Sequence, residues 1–196
     1  MNSPWIGTRS GKRFYILDSK PGDIDIYDVA HSLSRLCRYT GHCDEIDDVP
    51  IYNVADHSLR VSGICPPEDQ LWGLLHDLAE FALGDLSSPV KHLPELAYYR
   101  YLEERIMDTA VIQFRLSPRQ PYSVKCADRV LRATEIRDLM QPVDPEWYDD
   151  LADVTPLPDP IKPLTPNEAR SQFLGRFEQL MQERTHEQGR QTLPLS

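Results

Sequence analysis

The run Leu74-Leu75-His76-Asp77-Leu78-Ala79-Glu80 constrains this chain more than any other segment. An imidazole and a carboxylate interrupt an apolar helical pattern, and burying either group without a partner is costly. The fold must bring polar partners or a cation to this helix inside its own core. On an ideal helix His76 and Asp77 project about 100° apart. The longer imidazole and the shorter carboxylate can still meet at one ion lying between those directions. Glu80 falls four residues after His76 and three after Asp77, on the same side of the helix. It sets a second carboxylate beside the ion without having to be a ligand.

Two further helical segments offer matching groups. His57 lies in Val54-Ala55-Asp56-His57-Ser58-Leu59, and Asp128 interrupts Val124-Lys125-Cys126-Ala127-Asp128-Arg129-Val130-Leu131. Two imidazoles and two carboxylates suit Mn, Fe, Co, Ni or Zn better than Cu(I) or an iron–sulfur cluster. Stiff helices would hold such ligands to catalytic tolerance. An ion with open positions acidifies a bound water and polarises a phosphoryl oxygen. The sequence therefore predicts one divalent transition metal on His57, His76, Asp77 and Asp128, with Mg as a companion to any phosphate tail. The bland alternatives are local. His57 would bond Ser58 or Asp56, Asp128 would pair with Lys125 or Arg132, and His76 and Asp77 would be a capped histidine beside a salt-bridged aspartate.

At 196 residues the chain is long enough for one domain with a real core. Residues 1–23 read as an irregular or short-strand lead-in and 24–184 as an all-α domain, followed by a frayed tail over 185–196. Apolar residues recur at three- and four-residue intervals over Ile24–Tyr39, and Gly41 closes that helix. An acidic loop follows to Pro50. A short helix starts near Val54 and ends at Gly63 and Pro66, and a firmer one runs from Pro67 to Phe81. Further helices are expected over Pro94–Phe114, Tyr122–Leu139 and Ala169–Met181. Between them, Pro142–Pro166 is rich in proline and aspartate and reads as a long surface excursion.

Charge and cysteine usage narrow the functional classes. A formal net charge of −10 argues against duplex nucleic acid as a partner, since that affinity rests on cations neutralising phosphates. It does not argue against a local basic pocket. Cys37, Cys43, Cys65 and Cys126 form no C-x-x-C pair, and Asp44, Glu45, Asp47 and Asp48 lack calcium-loop spacing. No apolar run is long enough to span a membrane, and Met1–Lys20 lacks the pattern of a secretory signal, so a cytoplasmic location is the expectation.

The order His57, His76-Asp77, Asp128 resembles the H…HD…D signature of the HD-domain metal-dependent phosphohydrolase superfamily. The chain is most similar to the nucleotide-directed branch of bacterial 5′-deoxynucleotidases and phage-type deoxynucleoside triphosphate hydrolases. The likeness covers roughly Ile24 to Asp138. It includes Asp28-Val29-Ala30-His31-Ser32-Leu33-Ser34-Arg35-Leu36-Cys37-Arg38-Tyr39-Thr40-Gly41-His42 and Gly84-Asp85-Leu86-Ser87-Ser88-Pro89-Val90-Lys91. The resemblance implies an HD-type helical bundle, often a homodimer or larger assembly. His57, His76, Asp77 and Asp128 match the metal ligands. Glu80 matches a carboxylate that orients water or handles a proton, and Asp85 a second acid beside the substrate. Arg38 and Lys91 resemble phosphate-side cations, and His42, at the end of the first matching string, is a candidate for a structural or phosphate-contacting role. Tyr39 stands where the deoxynucleotidases carry a Trp that crowds the sugar 2′ position. The implied activity is hydrolysis of nucleotides, of deoxynucleoside mono- or triphosphates above all, by metal-activated attack of water on phosphorus. A metal-dependent nucleotide sensor without turnover is the alternative.

Overall fold

The computed structural model describes residues 3–141, 144 and 149–191, with side chains as far as 186. Its architecture is mainly helical, and each departure from the expected helices has a local cause. The lead-in forms an antiparallel pair, β1 (Trp5–Gly7) and β2 (Arg13–Tyr15), with Ile6 opposite Phe14. Phe14 is 1% exposed and meets the ring of Phe81 edge-on at 4.8 Å. The hairpin is thus part of the core.

Helix α1 (Ile26–Leu33) starts at Asp25, whose carboxylate accepts from the Tyr27 N–H. It stops well short of Tyr39. The His31 carbonyl, which a continuing helix would offer to the Arg35 N–H, accepts instead from Ser34 Oγ and Arg35 Nη1. The chain then extends, and Arg38 N and Val54 N bond Tyr52 O and Leu36 O. Cys37, expected in a helix, lies in this bridge opposite Asn53. A 3-10 turn follows over Arg38–Gly41, with Tyr39 and Thr40 in the left-handed region at φ 52° and 54°.

Helix α2 (Val54–Ile64), capped by Asn53, runs through the middle of the fold. Residues Val54 to Ser58 are all buried. Against it packs α3 (Gln70–Leu75), entered through a 3-10 turn at Pro67–Asp69. Gly73 lies close against the end of α2, where a Cβ would sit 2.8 Å from Cys65 Sγ and 3.1 Å from Ser62 Cα.

The helix expected over 67–81 is therefore three pieces. After α3 the chain makes tight i→i−3 bonds, Leu78 N to Leu75 O, Glu80 N to Asp77 O and Phe81 N to Leu78 O. It then resumes as α4 (Glu80–Leu83), which Gly84 ends at φ 81°. The cause is His76. Its Nδ1 lies 2.7 Å from Gly73 O, the carbonyl that a continuing helix would give to Asp77 N–H. The break turns both ligand-type residues toward one point.

Helices α5 (Ser88–Lys91), α6 (Ala97–Gln113) and α7 (Tyr122–Leu139) follow. Val124, Ala127, Leu131 and Thr134 of α7, which recur along one helix face, are buried, as is Leu139. The last helix, α8 (Pro166–Gln191), is longer at both ends than the expected Ala169–Met181 and passes well into the segment expected to fray. Residues 192–196 of that tail lie outside the described residues.

The supposed excursion before α8 is a strap where it is described. Leu157 N, Ile161 N and Leu164 N donate to Thr134 Oγ1, Asp138 Oδ2 and Asp56 Oδ2. Leu151 and Ile161 are buried. Side chains of α2 and α7 satisfy a backbone that has no strand partner, so the segment follows the core surface. Residues 142, 143 and 145–148 of the expected excursion lie outside the described residues. Among the described residues no helix is long and apolar enough to cross a membrane.

Candidate metal centre

Helices α2 and α7 and the break after α3 bring the four expected ligands together. His57 Nε2 lies 3.2 Å from His76 Nε2, 3.2 Å from Asp128 Oδ1 and 3.6 Å from Asp77 Oδ2. His76 Nε2 is 3.2 Å from the same Asp77 oxygen. His57, His76 and Asp128 satisfy the spacing of a metal-holding group. Asp77 Oδ2 sits against both imidazoles.

Both rings are held from behind. His57 Nδ1 is 2.7 Å from Glu135 Oε1 and His76 Nδ1 is 2.7 Å from Gly73 O. A carboxylate and a carbonyl only accept, which assigns the proton of each neutral ring to Nδ1. The two Nε2 atoms then present lone pairs to each other and to two carboxylate oxygens. Such a set repels itself unless a cation or an extra proton lies between, and a divalent metal fits its donor chemistry.

The electrostatics report the same demand. Burial opposes protonation of His57, as does Arg38, yet Glu135 and Asp128 outweigh both and lift its pKa to about 10. Burial works to raise Asp77, but His76, His57 and Arg38 hold its carboxyl far below the usual range. Asp128 is likewise lowered against its burial, by His57 first and His76 next.

The local alternative for His57, a bond to Ser58 or Asp56, does not describe what is found, whereas His76 is indeed capped by Gly73 O and Asp77 salt-bridged to Arg38. Asp56 neither bonds His57 nor enters the cluster, since Arg60 Nε and the Leu164 N–H occupy its carboxylate. Glu135, by contrast, was not among the candidates from sequence. It is fully buried on α7 and accepts from Tyr39 OH, Tyr52 OH and His57, each at 2.7 Å. Arg38 Nε stands 3.7 Å from it. Those contacts lower its carboxyl despite the burial that opposes them. The available signal was spacing, because Glu135 falls seven residues after Asp128, two turns along the same helix.

A cavity of about 470 Å³ opens from this cluster. Arg38, Tyr39, Glu80, Asp85 and Lys91 all line it, together with Asp77 and Asp128. Glu80 is 4% exposed, and its buried Oε2 has no hydrogen-bond partner. Burial, then the charges of Asp77 and Asp85, push its carboxyl well above the usual range. Asp85 is raised too, chiefly by burial. Lys91 is bonded to Glu103 at 2.8 Å and stands 3.7 Å from Glu80. Arg38 Nη1 donates to Asp77 Oδ2 at 3.3 Å, so both cations already face carboxylates. Tyr39 spends its proton on Glu135, and its ring carries the Arg38 guanidinium at 5.5 Å.

One candidate is not brought to the site. His42 caps the 3-10 turn on the surface, exposed and outside the cavity lining. The left-handed residues Tyr39 and Thr40 turn the chain so that Arg38 and Tyr39 face inward while His42 does not.

No family model matches the chain. Over 178 residues, 90% of this chain and 95% of the relative, it is 34% identical to YfdR of Escherichia coli K12, an uncharacterized protein. It is also 34% identical over 134 residues to an uncharacterized protein of Rhodobacter capsulatus, covering 65% of this chain and 66% of that one.

Proposed function

The chain belongs to one family with Escherichia coli YfdR, and on the geometry of its site we propose that it is a divalent-metal-dependent phosphohydrolase of the HD type acting on nucleotides. The observation that carries this reading is the convergence of His57 Nε2, His76 Nε2, Asp77 Oδ2 and Asp128 Oδ1, with each imidazole's other nitrogen committed to an acceptor behind it. These four residues would hold one transition metal. When bound, that ion acidifies a water and offsets charge on a phosphoryl group.

The protein's own groups would divide the remaining work. Glu80, with its carboxyl raised and one oxygen unpartnered, is suited to exchange a proton with the attacking water or the leaving oxygen. Asp85 lines the same cavity and aligns water. Arg38 and Lys91 supply positive charge for non-bridging oxygens. Their carboxylate partners hold them in place before substrate enters, which limits the reorganisation needed for catalysis. Tyr39 forms a wall of the cavity with its hydroxyl proton already used. A ribose 2′-OH therefore finds no donor there, and a modest preference for deoxyribose follows.

The test is phosphate or polyphosphate release from paired ribo- and deoxyribonucleotides with one and three phosphates. Mn, Fe, Co, Ni, Zn and Mg are supplied separately. Turnover in wild type and none in Asp77→Ala is the expected result. Equal rates in the two proteins would remove the site from the chemistry, and tight nucleotide binding without product would favour the sensor.

A further inference from the structure

A second cavity, of about 480 Å³, lies between the β1–β2 hairpin, α1 and the Phe81 ring of α4. It shares no lining residue with the cavity at the metal centre. Its charge is opposite to that of the chain as a whole. Arg9 enters from the hairpin turn and Arg35 from just beyond α1. Arg170, in the second turn of α8, is near enough to act with them on His31.

The surrounding polar groups leave that charge unspent. Arg9 and Arg170 have no hydrogen-bond or ion-pair partner among the described residues. Arg35 is tied only to neutral acceptors, the His31 carbonyl, Ser34 Oγ and Asn167 Oδ1. Asp28 is the acid in the lining, and Ser10 N and Ser10 Oγ occupy both of its oxygens at 2.8 and 2.7 Å. His31 Nδ1 is buried without a partner. Opposite these groups Ile6, Leu36 and Phe81 provide an apolar wall.

We propose that this cavity binds a small phosphate-bearing ligand of nucleotide size, with Arg9 and Arg35 meeting its phosphates and its organic body against Ile6, Leu36 and Phe81. The volume is within the range of small-molecule sites, and guanidinium forks are suited to phosphate oxygens. Occupancy would touch the metal centre at one step's remove. Phe81 follows Glu80 in the chain, and Ser32 Oγ holds the Phe81 carbonyl at 3.1 Å from the cavity side.

Binding of the fluorescent probe N-methylanthraniloyl-ATP, read by anisotropy, tests the proposal. Asp77→Asn with a chelator present disables the metal centre and separates this site from the function proposed above. Saturable binding should persist in that background and be displaced by tripolyphosphate. Arg9→Ala and Arg35→Ala should each weaken it roughly tenfold, the factor that 1.4 kcal/mol represents. The proposal is overturned if no saturable binding is found, if tripolyphosphate does not compete, or if Arg9→Ala and Arg35→Ala leave the affinity unchanged.

Discussion

Replacing Glu135 separates its charge from its shape. In Glu135→Gln the amide oxygen can stay at the Oε1 position, where Tyr52 OH and His57 Nδ1 both donate. The new NH2 then faces Tyr39 OH, which can rotate to accept, and Arg38 Nε, a donor 3.7 Å from the present oxygen. The lost interaction is thus the negative charge behind His57, with the ring still held. A charge-assisted hydrogen bond exceeds a neutral one by about 1 kcal/mol, and changes in outer-shell partners weaken metal binding about 10- to 100-fold. The Gln variant should lie near tenfold. Glu135→Ala, which leaves three donors and Arg38 without their acceptor, should reach hundredfold and lose about 3–5 kcal/mol of stability. Competition between protein and a calibrated chelator for Mn or Co gives the affinities, and urea unfolding gives the stability. Wild-type metal affinity in both variants would refute the claim that Glu135 supports His57 as a ligand.

Glu80→Gln should retain the metal yet lower kcat about 10²- to 10⁴-fold, the range of a lost proton-transfer group, measured as steady-state phosphate release. Gly73→Ala should cost about 1–3 kcal/mol by overpacking against Ser62 and Cys65, and chelator competition should show weaker metal retention because His76 moves with α3. For the chelated protein, the raised His57 contributes stability that is complete below its ordinary 6.5 and is lost as pH rises toward about 10. Asp77, Asp128 and Glu135, all lowered, contribute above their ordinary 3.8–4.5 and lose it as pH falls below. Thermal unfolding across pH should therefore show stability lost on both sides of about 4.5–6.5, with the raised Glu80 and Asp85, which cost stability as pH climbs above their ordinary values, drawing the maximum toward the acid end. Metal affinity should rise with pH across the His57 titration, because the ion needs a neutral ring.

The parts of this molecule that could be read in the sequence are those governed by local pattern. The apolar faces of α2 and α7 placed His57 and Asp128 in buried helices, and the interruption at His76-Asp77 marked the cluster. The helix breaks at Leu33 and Leu75 could not be read in the same way. Each depends on side chains competing for a carbonyl, Ser34 and Arg35 at His31 and the His76 ring at Gly73, and periodicity does not register that competition. Beyond its spacing from Asp128, Glu135 gave no local signal because its partners, Tyr39, Tyr52 and His57, lie 78 to 96 residues away. The strap was misread for a related reason. Proline and aspartate usually signal solvent, while here Asp56 of α2 and Thr134 and Asp138 of α7 accept from a backbone with no strand partner of its own.

The break at His76 also decides how far this site could be transplanted. On an unbroken helix the two side chains would leave about 100° apart and meet only at an ion between those directions, so His76-Asp77 grafted alone would lack the convergence that the break supplies. The smallest portable unit is Gly73 to Gly84, because the Gly73 carbonyl both ends the helix and orients the ring. Even that unit needs a neighbouring helix that can approach Gly73 as closely as Ser62 and Cys65 do. Any helical scaffold chosen to receive the chemistry would have to be selected for that near-contact before a single ligand was placed.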